Sequence, residues 1–251
     1  MFARETSPTE IGAGVVRLGT DKVNWYLVAD DDGVTILDCA MPSYYPQLDA
    51  GLASLGRSRS DVRAVVLTHG HADHIGFAER ARSELGVPVY VHRDDENLTT
   101  TGKAFGKTER PVVAYLGRPY PYAFLTHLAT SGGRSKPVQT VSTFDGDATL
   151  DVPGRPRAIH TPGHTTGHTV FLLESRGVLL LGDLLCTLNP LTGARGPQLL
   201  PRALNLSTAT MLDSLSTIEG LPAQTLLFGH GDPWTEGVES AVRRARATGP
   251  T

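Results

Sequence analysis

Apolar residues recur along the chain in short runs, and the period and length of each run predict an element. Asn24–Ala29 and Val34–Asp38 flank Asp30-Asp31-Asp32-Gly33, a turn composition, and predict a β-hairpin. Tyr45–Leu55 predicts a helix. Ala64–Leu67 is wholly apolar, which suits a strand buried on both faces. Ile75–Leu85 predicts a helix stopped by Gly86, and Val87–His92 another strand. The second half is rich in strands, at Thr149–Val152, Arg157–His160, Thr169–Glu174 and Val178–Gly182. A helix over Leu206–Ile218, a strand over Thr225–Phe228 and a last helix over Glu236–Ala247 complete the pattern. Strand clusters with helices between and after them predict two packed sheets with helices outside.

The stretch from Glu96 to Gln139 breaks this rhythm. It is rich in Gly, Pro, Thr and Tyr, and only Tyr122–Ala129 reads as helix. A segment this long without clear elements is usually functional or mobile. It predicts a loop or lid insertion, at about 96–139, in a single domain spanning 1–251.

Composition narrows the class. The chain has 251 residues, 40% of them apolar, as in an ordinary globular α/β domain. No apolar run approaches the roughly 20 residues that span a bilayer. The segment Met1–Pro8 has no apolar core of a secretory signal, which predicts a cytoplasmic protein without a membrane partner. A net charge of -3 gives no footing for a polyanion, so no nucleic-acid partner is predicted. Arg243-Arg244-Ala245-Arg246 reads as a solvated last helical turn. The two cysteines, Cys39 and Cys186, are too few for a disulfide framework and read as buried free thiols.

The candidate chemistry follows the apolar strand that ends at Leu67. Within Thr68-His69-Gly70-His71-Ala72-Asp73-His74 lie four side chains that ligate metals. In an extended segment residues i and i+2 face the same way, so His69 and His71 aim at one point. Asp73 and His74 are expected to open the following helix and serve a neighbouring point. Imidazole and carboxylate are the ligands of a hydrolytic Zn²⁺ site. Three later strands each end in a Gly-containing turn with another ligand type: Gly163-His164, Gly182-Asp183 and Gly229-His230-Gly231. Singly, each reads as a turn former; with the first cluster they complete a set for two metals.

These residues resemble the metallo-β-lactamase fold superfamily, whose H-x-H-x-D-H motif appears as His69, His71, Asp73 and His74. The resemblance runs from Asn24-Trp25-Tyr26-Leu27 to Gly229-His230-Gly231. It implies an αββα four-layer sandwich, two mixed sheets flanked by helices, with the site at one edge. It further implies that His69, His71 and His164 hold one metal, that Asp73, His74 and His230 hold the other, and that Asp183 bridges them. Two Zn²⁺ are expected, with Fe or Mn as alternatives. Asp38 resembles a strand-end Asp that supports the ligand loop. His168 resembles a position often filled by His in glyoxalase II-like members, as supporting group or strand cap.

Function is expected to follow from the metals. Two ions roughly 3.5–4 Å apart share a hydroxide that attacks a small ester, lactone or thioester. Asp183 and Asp73 are the catalytic carboxylates, Asp73 mainly as ligand. Thr161-Pro162-Gly163-His164-Thr165-Thr166-Gly167-His168 is similar to glyoxalase II, although little chain follows His230 to supply that enzyme's C-terminal helical domain. Tyr115, Tyr120 and Tyr122 are candidates for a substrate-pocket wall, with loop packing as the competing role. A β-lactamase and a mononuclear-iron, persulfide dioxygenase-like oxidoreductase remain alternatives on the same ligands; a non-enzymatic binding module is disfavoured because all seven ligand positions are filled. The partner is a small molecule, and the sequence carries no reading of oligomeric state.

Overall fold

A computed structural model describes residues 7–12, 14–102, 108–132 and 135–251. The N-terminal residues 1–6, read above for a secretory signal, and the parts 103–107 and 133–134 of the expected insertion lie outside the described residues. The first sheet has seven strands in chain order: β1 (Thr9–Gly12), β2 (Val15–Gly19), β3 (Asn24–Asp30), β4 (Gly33–Leu37), β5 (Val62–Val66), β6 (Val89–His92) and β7 (Ser142–Phe144). β1 to β4 are antiparallel; β4 to β7 run parallel. The second sheet takes β8 (Ala148–Thr149), β9 (Arg157–His160), β10 (Thr169–Leu173) and β11 (Val178–Leu180). A short hairpin, β12 (Cys186–Leu188) with β13 (Arg195–Gln198), precedes β14 (Thr225–Leu227), which joins the second sheet parallel to β11.

The helices are α1 (Gln47–Ser54), α2 (Ala78–Leu85), α3 (Glu96–Thr101), α4 (Tyr120–Thr130), α5 (Thr208–Ile218) and α6 (Gly237–Thr248). Side-chain alternation builds the layers. Along a strand, successive residues point to opposite faces. Ala64 and Val66 of β5 therefore meet Phe171 and Leu173 of β10 in a core between the sheets. Val65 turns the other way, into a second core with α1 and α2. Leu172 likewise turns outward from β10. It joins a third core, which holds Met211 and Leu215 of α5 and Ala241 and Ala245 of α6. The result is the helix–sheet–sheet–helix sandwich expected from the sequence. Among the described residues no helix is long and apolar enough to cross a membrane.

The predicted hairpin forms, with Asp30 paired to Gly33. Several expectations need correction. The helix predicted from Ile75 begins only at Ala78. The backbone of 74–77 instead bonds to the segment after β4: Cys39 N–H to His74 O at 2.6 Å, Gly76 N–H to Ala40 O at 2.9 Å and Phe77 N–H to Cys39 O at 3.2 Å. A side chain at position 76 would run into the Ala40 carbonyl, so only glycine allows this approach. The described parts of the stretch 96–139 hold more regular structure than its composition suggested, with α3, α4 and a 3₁₀ turn at Val112–Tyr115. β7 was missed because Ser142-Thr143-Phe144 has too few residues to show a period.

Candidate metal centre

All seven candidate ligands gather at one edge of the two sheets, on loops that leave strand ends. β5 delivers His69, His71, Asp73 and His74; β9 delivers His164; β11 delivers Asp183; β14 delivers His230. Asp73 and His74 sit in a tight turn, not on a helix, with His74 N–H bonded to His71 O at 2.9 Å. That turn lets four ligands of one short segment serve two points.

Two groups result. His69, His71 and His164 bring ring nitrogens within 4.8 Å of one another, as do Asp73, His74 and His230 with a carboxylate oxygen. In the first group His164 Nε2 lies 2.9 Å from His71 Nδ1 and 3.2 Å from His69 Nε2. Ligand nitrogens stand about 3.3 Å apart in a tetrahedron with Zn–N bonds of about 2.0–2.1 Å, so the spacing suits one small cation. Asp183 faces both groups: one oxygen is 3.4 Å from His164 Nε2 and 3.3 Å from His230 Nε2, the other 3.4 Å from His74 Nε2. Asp73 Oδ2 is 3.6 Å from His230 Nε2.

The fit to a cation has a sharper mark. His74 Nε2 and Asp183 Oδ1 are buried and have no hydrogen-bond partner. The two atoms face each other at 3.4 Å without forming a hydrogen bond, which leaves buried polar atoms under-satisfied at a cost on the order of 1–3 kcal/mol. A divalent cation ligated by both removes that cost. The donor set, imidazole nitrogens with carboxylates, is the one such ions take.

Outer contacts fix the rings. His74 Nδ1 is 2.8 Å from Asp38 Oδ2, and Asp38 also accepts from the Thr68 N–H at 2.8 Å. Thr68 Oγ1 is 3.0 Å from His69 Nδ1, His164 Nδ1 is 3.2 Å from Asn205 Oδ1, and His230 Nδ1 donates to Lys22 O at 2.7 Å. Each contact turns the opposite nitrogen toward the centre, the usual arrangement around metal-bound imidazole. Asp38 takes its place with a left-handed backbone, φ 59°. His168 does not face the centre. Its Nε2 accepts the Asp183 N–H at 3.0 Å, and its Nδ1 is 2.9 Å from Thr161 Oγ1.

Electrostatics suit a cation at this edge. Burial, reinforced by neighbouring imidazoles, pushes His69 and His71 well below the ordinary imidazole pKa, so both are neutral and ready to ligate. Burial also opposes charge on His74, but Asp183 and Asp38 outweigh it and raise the group. His230 is raised in the same way, against burial, by Asp183 and Asp73. Asp183, although buried, is held well below the usual carboxylate range by His230 and His74. In the protein alone these two imidazoles supply the positive charge that Asp183 faces.

Sequence reading missed Asp95. In Arg93-Asp94-Asp95-Glu96 it looks like part of a solvated charge run, yet it alone of the four is fully buried. It accepts from Gly70 N–H at 2.9 Å, Thr165 Oγ1–H at 2.7 Å and Gly167 N–H at 2.7 Å. One carboxylate thus ties the His69–His71 loop to the His164 loop. No periodicity could have singled it out. Arg17, Asn24 and Tyr26 were missed as well. Tyr26 donates to Phe228 O at 2.7 Å, Asn24 to Gly231 O at 2.6 Å and Arg17 to Gly231 O at 3.1 Å, which holds the His230 turn against the first sheet.

A cavity of about 230 Å³ opens onto His71, Asp73, His164, Asp183 and His230. The three tyrosines expected to wall it lie elsewhere. Tyr115 is buried with Leu191 and Ala203 and donates to Thr251 O at 2.8 Å. The Tyr120 ring packs on Gly193, and Tyr122 is exposed with its hydroxyl on Leu116 O. The wall comes from other residues of the same elements, Val112, Phe124, Leu125 and Leu128. Cys186 is buried and its thiol is 4.0 Å from Leu199 O, as expected of a structural cysteine.

Comparison with known proteins gives the same picture. Residues 18–230 match the model of the metallo-beta-lactamase superfamily. The chain is 28% identical over 243 residues to "Probable metallo-hydrolase YflN" of Bacillus subtilis, covering 90% of this chain and 87% of that one. It is 30% identical over 196 residues to an uncharacterized Mycobacterium bovis protein, Mb2612c, covering 74% of this chain and 76% of that one. A metallo-beta-lactamase family protein of Thermus thermophilus superposes with a TM-score of 0.65 at 28% identity, over 98% of this chain and 78% of that one. The metallo-beta-lactamase GOB-18 of Elizabethkingia meningoseptica shares the fold at a TM-score of 0.68 and 18% identity, over 98% and 91%. The edge where seven candidate ligands meet, the paired sheets and the matched span from β2 to His230 leave one assignment: the chain belongs to the metallo-β-lactamase superfamily.

Proposed function

We propose that this chain is a metal-dependent hydrolase that cuts a small ester, lactone or thioester at a centre of two divalent cations, Zn²⁺ first among them. The observation that carries the reading is the position of Asp183 between two triads, with one of its oxygens and His74 Nε2 buried, 3.4 Å apart and without a hydrogen bond. His69, His71 and His164 would hold one ion, Asp73, His74 and His230 the other, and Asp183 both. Such a pair of ions supplies Lewis-acid polarisation of a carbonyl and acidifies water toward a pKa of ~7.

The protein's own part is placement. Asp38, Thr68, Asn205 and the Lys22 carbonyl orient the imidazoles. His168 holds the backbone of Asp183. Asp73 is the most exposed of the ligands and lines the cavity, where its carboxylate can orient an attacking water by hydrogen bonding. The roof over the cavity keeps bulk water from the reacting carbonyl, which strengthens every electrostatic contact there.

Elemental analysis of the purified chain, joined to a panel of lactones, thioesters, β-lactams and phosphodiesters, tests the proposal. About two zinc ions per chain and turnover of an ester, lactone or thioester are expected. One iron with no zinc, and oxygen-dependent chemistry, would replace the hydrolase by a mononuclear-iron oxygenase.

A further inference from the structure

Among the described residues that line the cavity, the polar ones are all ligands of the centre: His71, Asp73, His164, Asp183 and His230. Every other lining residue is apolar. Val112, Phe124, Leu125 and Leu128 come from the segment around α4, and Leu191 and Leu204, which cluster with Val112, from the loops after β12 and β13. Outside the centre, none of these lining side chains carries a charge or a hydrogen-bond donor. The rings of Phe124 and His230 meet nearly perpendicular, with centroids 5.6 Å apart, so the apolar wall begins directly at the centre. The surface beyond it repeats the theme. The large exposed apolar residues among those described are Val113, Tyr122 and Leu125, all on the two elements that roof the cavity.

From this wall we infer that the part of the substrate leading away from the reacting carbonyl is an uncharged, apolar chain of a few carbons, seated beneath α4. A carboxylate or phosphate placed there would be desolvated with no partner among the described lining residues beyond the centre, at a large cost. Thioesters of the acidic tripeptide type, carboxylated β-lactams and nucleotides therefore fit poorly. An alkyl or aryl group loses only water on entry. The volume, about 230 Å³, lies below the roughly 300–1,000 Å³ of sites for drug-sized ligands and limits the chain's length. Which bond is cut rests on the hydrolase reading above. The chemistry of the chain rests on the wall alone.

The test separates the two. Straight-chain primary amides from butanamide to octanamide, which are not cleaved, are titrated by NMR against metal-free and zinc-loaded protein, beside the monoamide of adipic acid as the charged counterpart of hexanamide. Turnover of the matching thioesters is measured in parallel. Affinity should rise about fourfold per added methylene until the cavity is full, in both forms of the protein. In the metal-free protein, where no cation can ligate its carboxylate, the charged counterpart should bind about a hundredfold more weakly than hexanamide, or worse, and the preference is read in that form. Leu125→Lys adds a cation at an exposed rim position, which folding tolerates, and should recover binding of the charged probe. Affinity independent of chain length, preference for the charged probe, or no binding up to the solubility limit would overturn the inference. Chain-dependent binding without cleavage of any thioester would leave the inference standing and count against the hydrolase reading.

Discussion

Asp95→Asn isolates a contact that no ligand makes. The aspartate accepts from Gly70 N–H and Thr165 on one oxygen and from Gly167 N–H on the other. An asparagine keeps one oxygen, which can serve the first pair, and turns an NH₂ toward the Gly167 N–H. One buried backbone donor is then stranded, at about 1–3 kcal/mol. For a chain of this size each kcal/mol is worth about 2–4 °C, so the metal-free protein should melt roughly 2–12 °C lower. The larger effect is expected on the ions, because the lost tie joins the two loops that carry His69, His71 and His164. Removing an outer support of this kind typically weakens metal binding by about 10–100-fold. Zinc affinity is read by competition with a chromophoric chelator, and one of the two binding steps should weaken by that factor while the other is nearly unchanged. Asp95→Ala strands two backbone donors and should be less stable still. If the asparagine variant melts lower but binds both zinc ions with wild-type affinity, Asp95 supports the fold and not the centre.

Gly229→Ala should cost metal binding out of proportion to its size: a Cβ there would collide with Asp183 Oδ1 and the His74 ring, and metal analysis should show less than one ion retained. His69→Ala with His71→Ala should abolish turnover while the circular dichroism spectrum stays native; retained turnover would refute the mechanism. Leu215→Ala, in the outer core between α5 and the second sheet, should lower stability by about 2–5 kcal/mol in a denaturant titration, with two zinc ions still bound per chain. Replacing His168 by phenylalanine removes the acceptor of the Asp183 N–H, and zinc affinity should fall by about tenfold or more in the same chelator competition.

The layers were legible where an apolar run extends over several residues, as in β3, β4 and β10. They were hidden where an element is too short for a period, as in β7, or where tertiary hydrogen bonds override a local preference. Residues 74–77 read as helix, but their backbone pairs with 39–41 and the helix waits until Ala78. The candidate ligands were legible because they follow apolar strands and repeat a known spacing. Their supports divide by the same logic. Asp38 and His168 sit within recognisable motif positions, whereas Asp95 and Arg17 act through long-range contacts that leave no mark on the neighbouring sequence. The tyrosines of the insertion drew notice by composition, yet the cavity wall is Val112, Phe124, Leu125 and Leu128. Composition could say that the segment mattered without saying which of its faces turns inward.

The central claim is that two cations share Asp183. Anomalous diffraction at the zinc edge, from crystals of the metal-loaded protein, tests it most directly. The account predicts two peaks, one among His69, His71 and His164 and one among Asp73, His74 and His230, with the Asp183 carboxylate between them. A single peak, or a signal at the iron edge alone, would contradict it.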